Sequence, residues 1–158
     1  MTNFDKISKR IESFRDEMIN LQITLTSYPA ISPKSGGEGE AKKAEFLMGF
    51  LKENGFQDIQ LIKAPDLDAP AGYRPNILAC YKGKSSARTI WIMTHTDVVP
   101  PGEQSLWKGD PFRAWVEGGK IFGRGVEDNQ QEMVASLFAL KAFQAENVKP
   151  NYDVALAL

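Results

Sequence analysis

"RTIWIMTHTDVVPPG", Arg88 to Gly102, decides the fold class. Its first half is apolar, without the polar alternation of a half-exposed strand. A run of that kind suits a strand buried on both faces, as in parallel sheets. Helices must then cover the sheet. The expected class is therefore α/β, a three-layer domain with a mostly parallel mixed sheet covered by helices. The run ends at His95, the one histidine in 158 residues, and Asp97 follows two positions later, ahead of Pro100 and Pro101.

Upstream, Phe4, Ile7, Ile11, Phe14, Met18, Leu21 and Leu25 recur at spacings of three and four, which predicts one long helix. Thr2 or Asn3 would cap it, with Asp5 near its positive end. "SYPAISPKSGGEGE" breaks the pattern with two prolines and three glycines. A second helix is expected from about Glu40 to Asn54, burying Ala44, Leu47, Met48 and Leu51, with Gly55 just past its end. "FQDIQLI" alternates as a strand does, "KAPDLDAPAGYRP" reads as a loop, "NILACYKG" as a second strand and "KGKSSA" as the turn before the apolar run.

Downstream, "PFRAWVEGGKIFGRG" predicts two short strands joined at Glu117-Gly118-Gly119. A third helix is expected from about Asn129 to Asn147, with Met133, Val134, Leu137, Phe138 and Phe143 spaced for burial. "YDVALAL" then reads as another buried strand, and the sequence stops at Leu158. A domain rarely ends on an interior strand, so residues 1–158 are expected to be a piece of something longer.

Composition narrows the function. Apolar and charged fractions of 42% and 25% are those of a folded globular chain. A net charge of −1 with scattered basic residues argues against a nucleic-acid partner, which needs a basic patch. No stretch has the length of a membrane span, and the N-terminus lacks the apolar core of a signal peptide. The single cysteine, Cys80, can form no internal disulfide, which makes the reducing cytoplasm the simplest compartment.

His95 carries the chemical interest. Three roles compete for it: a satisfied strand-end histidine, a general base, or a metal ligand. In open α/β sheets, sites gather outside the carboxyl ends of strands, which is where His95 falls. Asp97, at i+2, points the same way in an extended segment and is placed to hold the imidazole or orient a catalytic group. It is equally compatible with a plain turn acid. "GRGVEDNQQ", Gly123 to Gln131, offers a second acid at a helix entry, Asp128. An acid there is ordinarily an N-cap, and Glu127 competes with it as a ligand. No phosphate-binding loop or nucleophile elbow is present.

Taken in order, "RPNILACYKG", "HTDVVPPG", "LWKGDPF" and "EGGKIFGRGVEDNQQ" resemble the zinc-dependent amidohydrolases and exopeptidases of the M20 type. That group includes acetylornithine deacetylase, succinyl-diaminopimelate desuccinylase, carboxypeptidase G2 and carnosinase-like dipeptidases. The resemblance runs from about Phe14 to Leu158. It implies that His95 and Asp128 are metal ligands, with Asp128 bridging two divalent ions, commonly Zn (Co or Mn being alternatives). It also implies that Asp97 is catalytic and that the peptide bond after Asp128 is cis. Family members carry a lysine or similar residue after the bridging aspartate, where this sequence has Asn129-Gln130-Gln131.

The resemblance implies more than residues 1–158 contain. A general-base glutamate, its ligand neighbour, a further acid and a distal histidine would lie beyond Leu158. So would the remainder of the catalytic domain and a lid and dimerisation domain, which makes a homodimer the expected full-length form. Residues 1–158 would be the N-terminal portion of the catalytic metal-binding domain. The implied reaction is hydrolysis of an amide bond in an N-acyl amino acid or a dipeptide. Two metals would polarise the carbonyl and lower the pKa of water, and the glutamate would move its proton. Alone, residues 1–158 are expected to be inactive. The alternative is a non-catalytic binding or assembly module that offers its last strand as a free edge.

Overall fold

The computed structural model describes residues 2–158. The N-terminal apolar stripe forms two helices rather than one, α1 (Asn3–Ser13) and α2 (Arg15–Thr26). Thr2 caps α1 reciprocally: its hydroxyl accepts the Asp5 N–H, and the Asp5 carboxylate accepts the Thr2 N–H. The helix breaks at Phe14 (φ −89°, ψ 5°), whose ring meets Phe138 edge-on at 5.5 Å. Continuous periodicity conceals a break of this kind, because a single non-helical residue leaves the apolar spacing intact.

Helix α3 (Ala41–Glu53) buries Ala44, Leu47 and Leu51, and the chain leaves it through Gly55 at φ +72°. Met48 is only half-buried. Helix α4 (Gln131–Ala145) buries Met133, Val134, Leu137, Phe138 and Leu140, while Phe143 is half-buried. No helix among the described residues is long and apolar enough to cross a membrane.

Four strands form the main sheet, in the order β1 (Ile59–Pro65), β2 (Tyr73–Tyr81), β6 (Tyr152–Ala157) and β3 (Ser85–Met93). Strands β4 (Trp115–Glu117) and β5 (Lys120–Phe122) make the separate hairpin that the Gly118-Gly119 turn predicts. Both glycines have positive φ there. The helices pack on the face bearing Ile77, Ala79, Val154 and Leu156, which with Leu25, Leu47, Leu51, Met133, Leu137 and Phe138 make one core.

The α/β class and the mixed sheet hold, with three corrections of detail. β3 pairs parallel with β6, but β1–β2 and β2–β6 are antiparallel, so the sheet is not mostly parallel. Connection length explains two of these pairings. The short 66–72 loop can only return β2 beside β1 antiparallel, while the route from β3 to β6 includes α4 and allows a parallel crossover.

Second, β3 is not buried on both faces: Ile90, Trp91 and Met93 are 52%, 56% and 75% exposed. Among the described residues it is an edge strand whose one neighbour is β6, and the described helices cover a single face of the sheet. By register, Trp91 shares the uncovered face with Cys80 and Ala155. Third, the last strand is no free edge. β6 lies between β2 and β3, and its residues Asp153 to Leu156 are buried.

Candidate metal centre

Strand β3 delivers His95 to its carboxyl end, where the Thr94 N–H still donates to the Ala157 carbonyl of β6 at 2.9 Å. Beyond it the chain is pinned by Val98, whose N–H donates to the Ala30 carbonyl at 3.0 Å and which bridges to Ile31. The His95 ring is held on both sides. Nδ1 lies 3.0 Å from the Asp97 carbonyl oxygen and 3.1 Å from Asp97 Oδ1. Nε2 lies 3.0 Å from Asp128 Oδ1. Asp97 therefore occupies one ring nitrogen and leaves the other directed at Asp128.

Asp128 reaches this position through an irregular turn. Gly125 adopts φ +83°, and a Cβ there would stand 2.5 Å from Val98 Cγ1, so the position requires glycine on both counts. Residues Val126–Gln130 form a wide turn with Asp128 at φ −110°, ψ 95°, and the Asp128–Asn129 peptide bond is cis. Asp128 does not cap α4; Gln130 occupies that position without a side-chain cap. Among the described residues, Glu127 makes no hydrogen bond to His95. It lines the same cavity of about 190 Å³ as His95, Asp97, Arg124 and Asp128.

Residues that composition and spacing did not single out support this pair. Asn129 Oδ1 accepts the His95 backbone N–H at 3.1 Å, and its amide donates to Glu132 at 3.1 Å. Lys43 of α3 is 1% exposed and donates to the Thr96 carbonyl and to Gln130 Oε1, each at 3.0 Å. The lysine that the family resemblance leads one to expect after Asp128 is absent, and an ammonium from α3 sits against Gln130 instead. The available signal was helical phase, since Lys43 falls beside Ala44 and one turn before Leu47 on the buried face. Arg74 of β2 pairs with the buried carboxylate of Glu40, and its guanidinium also lies 3.8 Å from Asp66.

The electrostatics follow from these contacts. Burial pulls the His95 pKa down, but the hydrogen bonds and charges of Asp128 and Asp97 outweigh it, and the net direction is upward from the ordinary value. Burial pushes Lys43 down to about 8, against the raising influence of Asp97 and Glu40. The hydrogen bond to Glu40 raises Arg74.

An imidazole nitrogen facing a carboxylate, with the opposite ring nitrogen held by a second carboxylate, is the donor chemistry that zinc-like divalent ions take. Among the described residues no group of three His, Cys, Asp or Glu side chains converges. The donors thus fit a metal in kind and fall short of the roughly four that a zinc site needs. The side chains of His95 and Asp128 are 43% and 81% exposed, which leaves room for further ligands.

Residues 91–158, which include His95, Asp97 and Asp128, match the profile of Peptidase family M20/M25/M40. An uncharacterised metallohydrolase of Methanococcus maripaludis is 34% identical over 151 residues, 92% of this chain and 36% of that protein. The succinyl-diaminopimelate desuccinylase of Delftia acidovorans is 33% identical over 142 residues, 87% of this chain and 34% of that protein. Among solved structures, an M20 family metallo-carboxypeptidase of Sulfolobus solfataricus superposes with a TM-score of 0.72 at 28% identity, covering 89% of this chain and 30% of that one. The dipeptidase Dug1p of Saccharomyces cerevisiae shares the fold with a TM-score of 0.82 at 23% identity, over 99% of this chain and 34% of that one. The chain spans about a third of the length of the relatives it matches.

Proposed function

We propose that this chain, an M20-type sequence by the match of its residues 91–158, is the N-terminal portion of the catalytic domain of a metal-dependent amide hydrolase. The substrates are small, an N-acyl amino acid or a dipeptide. The observation that carries this reading is the His95–Asp128 contact of 3.0 Å, with Asp97 on the far ring nitrogen, at the carboxyl end of a sheet strand.

His95 and Asp128 are the residues that would hold a divalent ion, and Asp128 has a second carboxylate oxygen with which to bridge to another. When bound, the metal supplies the Lewis acid that polarises an amide carbonyl and acidifies water. Asp97 holds the His95 ring through Nδ1, which leaves Nε2 as the nitrogen that would face the metal. The general base belongs to sequence that follows Leu158 in a longer chain. β6 runs parallel beside β3, with Ala157 opposite Met93, so a chain continuing past Leu158 leaves at the edge that carries His95. A second cavity of about 190 Å³, bounded by Glu40, Arg74, Asn76, Thr94, His95, Asp97 and Leu158, lies at that exit.

The test is metal analysis of the full-length protein beside a panel of acylated amino acids and dipeptides. His95→Ala and Asp128→Ala are expected to lose both metal and turnover. Asp97→Asn is expected to keep most of its metal and lose about 10- to 100-fold in turnover. Wild-type zinc content in His95→Ala would refute the ligand role. A full-length protein that takes up no metal and hydrolyses nothing on the panel would favour the non-catalytic module.

A further inference from the structure

We infer that Lys43 is a positioning residue for the centre, its buried ammonium clamping together the two chain segments that carry His95 and Asp128. This rests on the assignment of those two residues as metal ligands.

The segments are some thirty positions apart, and among the described residues they share no backbone–backbone hydrogen bond. Lys43 reaches both. Thr96, whose carbonyl accepts one Lys43 N–H at 3.0 Å, lies between His95 and Asp97. Gln130, whose Oε1 accepts another at 3.0 Å, lies two residues past Asp128. Gln130 is itself 1% exposed and fixed from three directions. Its Nε2 donates to Thr26 Oγ1 at 3.0 Å, its backbone N–H donates to the Gly125 carbonyl at 3.2 Å, and Lys43 holds its oxygen. Thr26 in turn donates to the Gln22 carbonyl at 2.9 Å within α2. A polar chain thus runs from α2 through the turn bearing Asp128 to the loop bearing Asp97, with the ammonium of α3 at its centre.

A charge in this position is expensive. An apolar side chain of similar volume, beside Ala44 and Leu47, would avoid desolvating an ammonium. The contacts made at that cost are to a backbone carbonyl and an amide, both in ligand-bearing segments. Such contacts hold the positions of those segments. They leave the carboxylates of Asp97 and Asp128 free of direct pairing with Lys43, so the clamp does not compete with a cation for them. The charges of Asp97 and Glu40 act on the ammonium at longer range.

The test uses the full-length protein with Lys43→Met, Thr26→Val and His95→Ala. Zinc affinity is read by chelator competition, the site's geometry by the absorption spectrum of the cobalt-loaded protein, and stability by thermal unfolding. Folded Lys43→Met is expected to bind zinc about 10- to 100-fold more weakly and to show an altered cobalt spectrum. Its kcat should fall while KM stays near wild type. Thr26→Val, which frees the Gln130 amide without touching Lys43, is expected to shift affinity the same way by a smaller factor. A purely structural lysine would lower the unfolding temperature and leave the folded protein's zinc affinity and cobalt spectrum unchanged, and that result overturns the inference. If Lys43→Met does not fold, Thr26→Val decides, and wild-type affinity and spectrum in that variant overturn it. Loss of zinc in His95→Ala together with wild-type behaviour of Lys43→Met removes only the role of Lys43. Retention of zinc in His95→Ala removes the ligand assignment as well.

Discussion

Lys43 carries a charge into the interior at a helix position that otherwise serves the core. Long basic side chains usually run along apolar surface and keep the charged end in water. This one cannot, because its acceptors at Thr96 and Gln130 lie inside. Burial pushes its pKa to about 8 from an ordinary 10.5. Between those values the unfolded chain binds the proton and the folded chain does not, so stability from this group rises with pH across that window. The unfolding free energy of wild type relative to Lys43→Met should therefore climb from pH 8 towards 10.5 in chemical denaturation; a flat difference would refute burial as the dominant influence. His95, Asp97 and Asp128 were legible as candidates because they stand at a strand end and a helix entry inside segments that resemble one family in order, although each place also suits an ordinary structural residue. Lys43 was not, since its partners stand 53 and 87 positions away and only folding makes them neighbours.

Strand β6 shows how an element keeps its register. Asp153, within an otherwise apolar segment, is 3% exposed and accepts the Gly83 N–H at 2.8 Å and a Lys82 Nζ–H at 3.1 Å. Gly83 must be glycine for this approach, because a Cβ would fall 2.3 Å from the Tyr152 carbonyl group. The Gly83 N–H, with Lys82 and Ser86 adding to it and burial opposing, holds the Asp153 carboxyl below its ordinary 3.8. A depressed carboxylate stabilises the fold above the unfolded value, and that stabilisation is lost as pH falls through the folded one. Asp153→Asn should thus cost stability at neutral pH, with the difference from wild type shrinking below about pH 4 in acid-denaturation curves. A difference independent of pH would sink this account of the turn. The same strand was legible as buried from its composition. The edge position of β3 was not, because apolar side chains report that a strand has something to pack against without reporting where that partner is in the chain.

At the scale of the whole molecule, residues 2–158 bring together two of the proposed metal donors, where a zinc centre needs about four. Expressed alone, they are expected to bind zinc more weakly than the full-length protein and to hydrolyse nothing. Titration of both with zinc, and the amide panel, check this; turnover by residues 1–158 that His95→Ala abolishes would overturn it. The sequence by itself determined the α/β class and most of the elements, and it offered His95, Asp97 and Asp128 as candidates for the centre. Periodicity, turn chemistry and residue type are local properties and survive without a fold. Tertiary structure alone decided the break at Phe14, the strand order, the exposure of β3 and the meeting of His95 with Asp128. It also decided which acceptors meet the Lys43 ammonium. Each of these depends on which distant surfaces are brought into contact, and a contact between distant residues has no signature in the residues between them.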